Sequence, residues 1–351
     1  MEERNHPKLQ PRSLKSGRRS AVNLSELSLV KTDYLTPEDG MPLVIRPAVA
    51  DVDLADWAAS HRSEIESHLL KHGAILFRDF NLKSVAQFEQ AASAICSDLF
   101  SEYGDLPPES GAEKVYQSTP YPEEQTILFH NEASHTHRWP LKQFFFCVQP
   151  AEQGGETPIV DCREVYRVLD PALVRRFEEK GLMYVRNFIA ALDVSWQEFF
   201  KTTDRAAVEQ YCREAGIEFE WKGEDGLRIH QICPAIARHP KTGETVFFNQ
   251  LQLHHVSCLL PHVRASLLSL YREEDLPRNV YYGDGTPIEE SVMEQVGEAY
   301  LQTATSFPWE KGDILMVDNM LVAHGRNPFK GSRKIVVAMG EIISNNDLRA
   351  S

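Results

Sequence analysis

The strongest constraint on this chain is a succession of short β-prone runs that recurs from one end of the sequence to the other. Residues 42–47, 74–78, 126–130, 143–148, 158–161, 235–238, 244–249, 312–318 and 334–339 are mostly rich in β-branched, aromatic and other apolar residues, and Gly, Pro or Asp bounds many of them. Helical spacing fills several intervals: 53–72, stopped by Gly73, then 84–100, 261–272 and 288–301. Residues 163–230 read as largely helical and predict an insertion between strands without a core of its own. Many short strands with flanking helices predict a mainly β single domain over 26–351, with a double-stranded β-helix (jelly-roll, cupin-like) core.

Charge and cysteine usage narrow the function classes. A net charge of -14 argues against a nucleic-acid partner, since a phosphate backbone would be repelled by most of the surface. The basic residues Arg4, Lys8, Arg12, Lys15, Arg18 and Arg19 predict a disordered tail over 1–25. No apolar run approaches the roughly 20 residues of a membrane helix. Six cysteines without a CxxC pair predict buried, reduced thiols and a cytoplasmic setting.

The chemistry concentrates at two places. In the stretch Phe129-His130-Asn131-Glu132, an imidazole and a carboxylate two residues apart point to one face of an extended chain. His324, after the strand-like 312–318, is the candidate third ligand, completing two histidines and one carboxylate on one face of a metal. His135 and His137 lie past the strand end and are expected to splay outward. Arg333 immediately precedes an apolar strand, where a buried guanidinium needs an anionic partner. A small dicarboxylate chelating the metal would supply one, and Thr157 after Gly154-Gly155 could add a hydroxyl. The loop 101–125 is placed to cover such a site. The same residues leave open a non-catalytic metal-binding jelly roll and a hydrolytic zinc enzyme, although the latter gives Arg333 no role.

These segments resemble the TauD/TfdA-type Fe(II)/2-oxoglutarate-dependent dioxygenases, and within them the SyrP-like branch. The residues that carry the resemblance are Gly73 to Arg78, Phe129-His130-Asn131-Glu132, Trp139-Pro140, Phe145-Phe146-Cys147, Gly154-Gly155-Glu156-Thr157-Pro158 and Asp161. Phe248-Asn249-Gln250, Tyr282-Gly283-Asp284-Gly285, Ala323-His324-Gly325-Arg326 and Gly331-Ser332-Arg333 complete the set, in family order over about residues 40–345.

The resemblance implies Fe(II) held by His130, Glu132 and His324, with 2-oxoglutarate gripped at its far end by Arg333 and Thr157, and O2 as oxidant. It implies hydroxylation of an unactivated C–H bond in an amino acid or amino-acid-derived substrate of natural-product biosynthesis. Most of the wider family has aspartate where this chain has Glu132. Related halogenases have a small residue there, so Glu132 implies hydroxylation or desaturation. Candidate substrate contacts are Thr119, Trp139, Asn249, Gln250, His254 and Arg326. Delivery on an acidic carrier protein would need a local basic patch, around Lys142 or Arg326. Desaturation or rearrangement of a free small molecule is the alternative.

Overall fold

The run Phe144-Phe145-Phe146-Cys147 has no polar residue because both of its faces are covered. Phe144 and Phe146 pack into one apolar cluster with Trp57, Leu69 and Phe88 from helices on that side. Phe145 and Cys147 point the other way, into a second cluster with Ile159, Val322 and Ile335. The strand carrying this run, Arg138–Gln149, is central to a seven-stranded sheet. Its order is Val30–Tyr34, Leu43–Pro47, Ala74–Phe77, Ile314–Asp318, Arg138–Gln149, Lys334–Ser344, Tyr116–Gln117. A four-stranded sheet, in the order Ala304–Thr305, Ile159–Asp161, Val322–Arg326, Ile127–His130, contributes to the second cluster and completes the jelly-roll core. The computed structural model describes residues 28–35, 40–101, 107–118, 121–189 and 192–349; the basic segment 1–25, Thr119 and part of the 101–125 loop lie outside them.

Two expectations need correction. The helical pattern of 53–72 is two helices, Leu54–Ser60 and Arg62–His72, broken at His61, whose Nδ1 bonds the Trp57 carbonyl. The stretch 163–230 does hold the four expected helical patterns, in Cys162–Val168, Pro171–Lys180, Trp196–Phe200 and Arg205–Ala215. Between and after them, however, Leu182–Phe188, Glu218–Lys222 and Gly226–Cys233 are strands, which join Arg278–Tyr282 in a separate four-stranded sheet. Phe188, Trp196, Val208, Cys212 and Leu227 form a small core there, contrary to the expectation of none. The alternating charges and aromatics of Glu218-Phe219-Glu220-Trp221-Lys222 carry a period of two, the signal of a half-buried strand.

All six cysteines are free thiols, five of them buried, and burial pushes Cys147 and Cys162 up to about 12. Among the described residues no helix is long and apolar enough to cross a membrane.

Candidate active site

Antiparallel pairing brings the two histidines together. Strand Ile127–His130 lies beside Val322–Arg326 with His130 directly opposite His324, so residues nearly 200 positions apart become cross-strand neighbours. Their ring centroids are 4.3 Å apart. His130 Nδ1 is 2.9 Å from the Leu128 carbonyl, so it is the protonated nitrogen and Nε2 keeps its lone pair for the site. Burial holds His324 well below the usual histidine range, so the ring is neutral and its nitrogen available to a metal.

Glu132 reaches the site by a different route from the one its spacing suggested. The strand stops at His130, and Glu132 lies in the following turn, beside Ala133 at φ 55°. Asn319 fixes it: the Glu132 amide donates to Asn319 Oδ1 at 2.7 Å, and Asn319 Nδ2 donates to the Glu132 carbonyl at 2.9 Å. The same Nδ2 donates to the Pro140 carbonyl, tying the turn to the large sheet. Asn131, fully buried, donates to the carbonyls of Asn319 and Val322 and accepts from the Asn249 amide. Asp318 caps the turn that carries Asn319, accepting from the amides of Met320 and Leu321 while its other oxygen is 3.0 Å from His239 Nε2. His239 Nδ1 accepts two amide protons, so Nε2 carries the hydrogen given to Asp318. As a result, one ligand atom each from His130, Glu132 and His324 lies within 4.8 Å of the others. Two imidazoles and a carboxylate at that separation fit one divalent iron and leave further coordination positions to small molecules.

These three side chains line a cavity of about 270 Å³ that also includes Arg333, Thr157 and Phe145. Phe145 packs edge-on against His324, with centroids 4.9 Å apart. Arg333 donates to the Gly155 carbonyl at 2.8 Å and lies 3.5 Å from Thr157 Oγ1, with no carboxylate in ion-pair reach among the described residues. Desolvation, with repulsion from Arg326, pushes its guanidinium down to about 10, so it is still a cation at neutral pH. Trp309 Nε1 donates to Thr157 Oγ1 at 3.2 Å, which leaves the hydroxyl proton for a ligand. Gly155 at φ 75° lets the turn pass close to Arg333; a Cβ there would meet the arginine Cδ at 3.0 Å.

The expected substrate contacts fare differently. Thr119 lies outside the described residues. Trp139 is buried against Phe248 in the core and does not face the cavity. Asn249 and Gln250 are spent on structure: Asn249 bonds the Ala235 carbonyl and Leu251 amide, and Gln250 bonds the Asn131 carbonyl. His254 packs at a tilt against His135 and edge-on against Tyr184 in a neighbouring chamber under the insertion. His135 therefore turns inward instead of outward, and burial pushes it down to about 3. Arg326 does line the cavity, but its guanidinium holds the carbonyls of Tyr121, Pro122 and Gln125, which straps the covering segment over the site. Lys142 is buried between Glu66 and Glu341 and forms no surface patch. Asn131, Asn319, Trp309 and the rim residue Arg278 were missed as contributors; only the Asn131 position, inside the ligand motif, gave any local signal.

Comparison with known proteins agrees with this geometry. A dapdiamide synthesis protein, DdaC, from Enterobacter agglomerans is 36% identical over 297 residues, covering 84% of this chain and 90% of that protein. A clavaminate synthase-like protein from Arabidopsis thaliana is 28% identical, covering 90% of this chain and 99% of its own. Among solved structures, PvcB, an Fe, alpha-ketoglutarate dependent oxygenase from an isonitrile synthetic pathway, matches with a TM-score of 0.54 at 12% identity, over 91% of this chain and 95% of that one. A taurine dioxygenase from Burkholderia xenovorans matches with a TM-score of 0.53 at 15% identity, over 91% and 93%. The model of the taurine catabolism dioxygenase TauD, TfdA family matches residues 32–339, nearly the whole described chain. On its sequence match, in keeping with the jelly-roll core and the clustered site, the chain belongs to the TauD/TfdA family of dioxygenases.

Proposed function

We propose that this chain hydroxylates an unactivated C–H bond of a small amino acid or amino-acid-derived precursor of a natural product, using His130, Glu132 and His324 as the iron ligands. The oxygenase class, with Fe(II) and 2-oxoglutarate, follows from family membership. One observation carries the assignment of residues: three ligand atoms gathered within 4.8 Å, in a cavity whose other end holds a desolvated guanidinium with no carboxylate partner among the described residues. The bound iron and 2-oxoglutarate supply O2-dependent C–H oxidation, with the keto-acid leaving as succinate and carbon dioxide.

The chain's own part is placement. His130 and His324 present ring nitrogens to the metal position, and Glu132 supplies the carboxylate that leaves no protein vacancy for a halide. Arg333 and the Thr157 hydroxyl hold the far carboxylate of 2-oxoglutarate. Phe145, Ile335 and Val337 form an apolar wall, and the segment strapped by Arg326 limits water entry. A natural-product precursor is supported by the relative named for dapdiamide synthesis. With Lys142 and Arg326 both engaged internally, neither supplies a basic landing patch, which favours a free substrate over one carried on an acidic protein. The six free thiols support a cytoplasmic setting.

The test is anaerobic addition of Fe(II) and 2-oxoglutarate, followed by O2 with amino acids as candidate substrates. A visible charge-transfer band is expected in the intact protein and is absent in His324→Ala, and succinate forms with the matching substrate. An iron-loaded intact protein without the band, or turnover that continues without O2, overturns the reading.

A further inference from the structure

Three guanidinium groups line the metal cavity, and two of them are accounted for. Arg326 holds three carbonyls of the covering segment, and Arg333 stands beside Thr157 at the 2-oxoglutarate end. The third, Arg278, donates no hydrogen bond among the described residues. Its one ion pair there is from Nε to Asp193 at 3.5 Å, and the same Asp193 oxygen lies 3.2 Å from Arg186. The two terminal nitrogens of Arg278 are therefore left over, on a side chain that is 49% accessible.

Strand register turns this residue toward the metal. Arg278 lies directly opposite Arg186, and Val280 lies opposite Tyr184, so the four side chains share one face of the insertion's sheet. That face packs on the ligand turn. Tyr184 Oη accepts from the Gln250 amide, and Gln250 Nε2 donates to the carbonyl of Asn131, between His130 and Glu132. His135, three residues past Glu132, lies within the field of the cation: burial first, and the Arg278 charge next, push it down to about 3. Arg278 thus approaches the metal from the insertion, whereas Arg333 approaches from the large sheet, just ahead of Lys334–Ser344. A 2-oxoglutarate gripped by Arg333 leaves Arg278 to the other reactant. Its planar fork matches the two oxygens of one carboxylate, and no other uncommitted cation lines the cavity among the described residues.

Resting on the oxygenase reading above, we propose that Arg278 is a specificity-determining residue that holds a free carboxylate of the primary substrate. The prediction is discrimination: the acid binds, and its carboxamide, close in shape but uncharged, binds far more weakly.

The experiment uses the full chain with Fe(II) and 2-oxoglutarate. The twenty protein amino acids and their α-carboxamides are the probes, read by the shift of the anaerobic band and by stimulated succinate formation. Wild type is expected to prefer at least one acid over its carboxamide by about tenfold or more. Arg278→Met removes that preference by weakening the acid alone, while the KM for 2-oxoglutarate stays the same. Arg278→Lys, which keeps the charge without the fork, retains part of it. A merely structural arginine would weaken acid and carboxamide alike, and that result overturns the proposal. So does a wild type that responds to no acid or equally to both forms, a preference that survives in Arg278→Met, or a parallel rise in the KM for 2-oxoglutarate. Absence of the iron–keto-acid band in wild type instead removes the reading beneath it, and the proposal with it.

Discussion

At the Glu132 end of the cavity, Asn131 and Asn319 spend their amides on backbone groups from four separate segments, so the ligand turn is fixed before any metal arrives. At the Arg333 end, a desolvated cation donates to a carbonyl and a hydroxyl and lies over the Phe329 ring, with no carboxylate in ion-pair reach among the described residues. The first end is preorganised and adds to stability. The second is held at a cost, because a buried charge without a counter-charge is destabilising and is relieved only when a dicarboxylate binds. A site of this design selects its co-substrate by what it lacks.

The largest effect that would break this contrast is at Arg333. Arg333→Met is expected to raise the KM for 2-oxoglutarate about 100-fold or more, the loss of roughly 3 kcal/mol of charge-assisted binding, while the melting temperature of the ligand-free protein stays level or rises. A fall of several degrees in that temperature would show that the cation is structural. Next comes Asn319→Ala, which should weaken Fe(II) affinity by about 10–100-fold and also lower the melting temperature, since the Glu132 amide and two carbonyls lose their partner. Titration calorimetry of iron with thermal unfolding measures both; unchanged iron affinity would mean that Glu132 holds its place unaided.

A smaller effect tests the neutrality of the wall behind the metal end. His135 has a folded pKa pushed down to about 3 from an ordinary value of 6.5, so between those values the unfolded chain binds more protons than the folded one. Stability from this group is intact above about pH 6.5 and declines as pH falls, by about 1.4 kcal/mol per unit at most, until near pH 3. Urea unfolding between pH 7 and 5 should show a shallower slope in His135→Phe. The smallest effect is expected for Trp139→Phe: a stability loss of about 1–3 kcal/mol from the space left beside Phe248, and substrate KM values within about threefold of wild type. A large KM change would return Trp139 to the substrate site.

Where sequence reasoning held and where it failed follows from the range of the forces involved. Period-two runs and helical spacing are local, so most strands of both jelly-roll sheets and the four helices of the insertion were legible, whereas the short edge strands Val30–Tyr34, Tyr116–Gln117 and Ala304–Thr305 were not. The three residues that the fold clusters, His130, Glu132 and His324, were legible as candidates. The insertion's strands were missed because Leu182–Phe188 lies between helical patterns and Glu218–Lys222 directly follows one, and both earn their conformation by pairing with Gly226–Cys233. Trp139, Asn249, Gln250 and His254 looked like pocket residues because aromatic and amide side chains suit either a pocket or a braced core.

The sequence by itself supplied the candidate side chains: an imidazole and a carboxylate in one short motif, a second imidazole in a later strand, and an arginine before an apolar run. Only the tertiary structure decided how they meet. His324 stands opposite His130 through strand register, and Glu132 is held by an asparagine 187 residues away. Side-chain type is written locally, whereas the position of a ligand atom is set by hydrogen bonds between segments that only the folded sheets bring side by side.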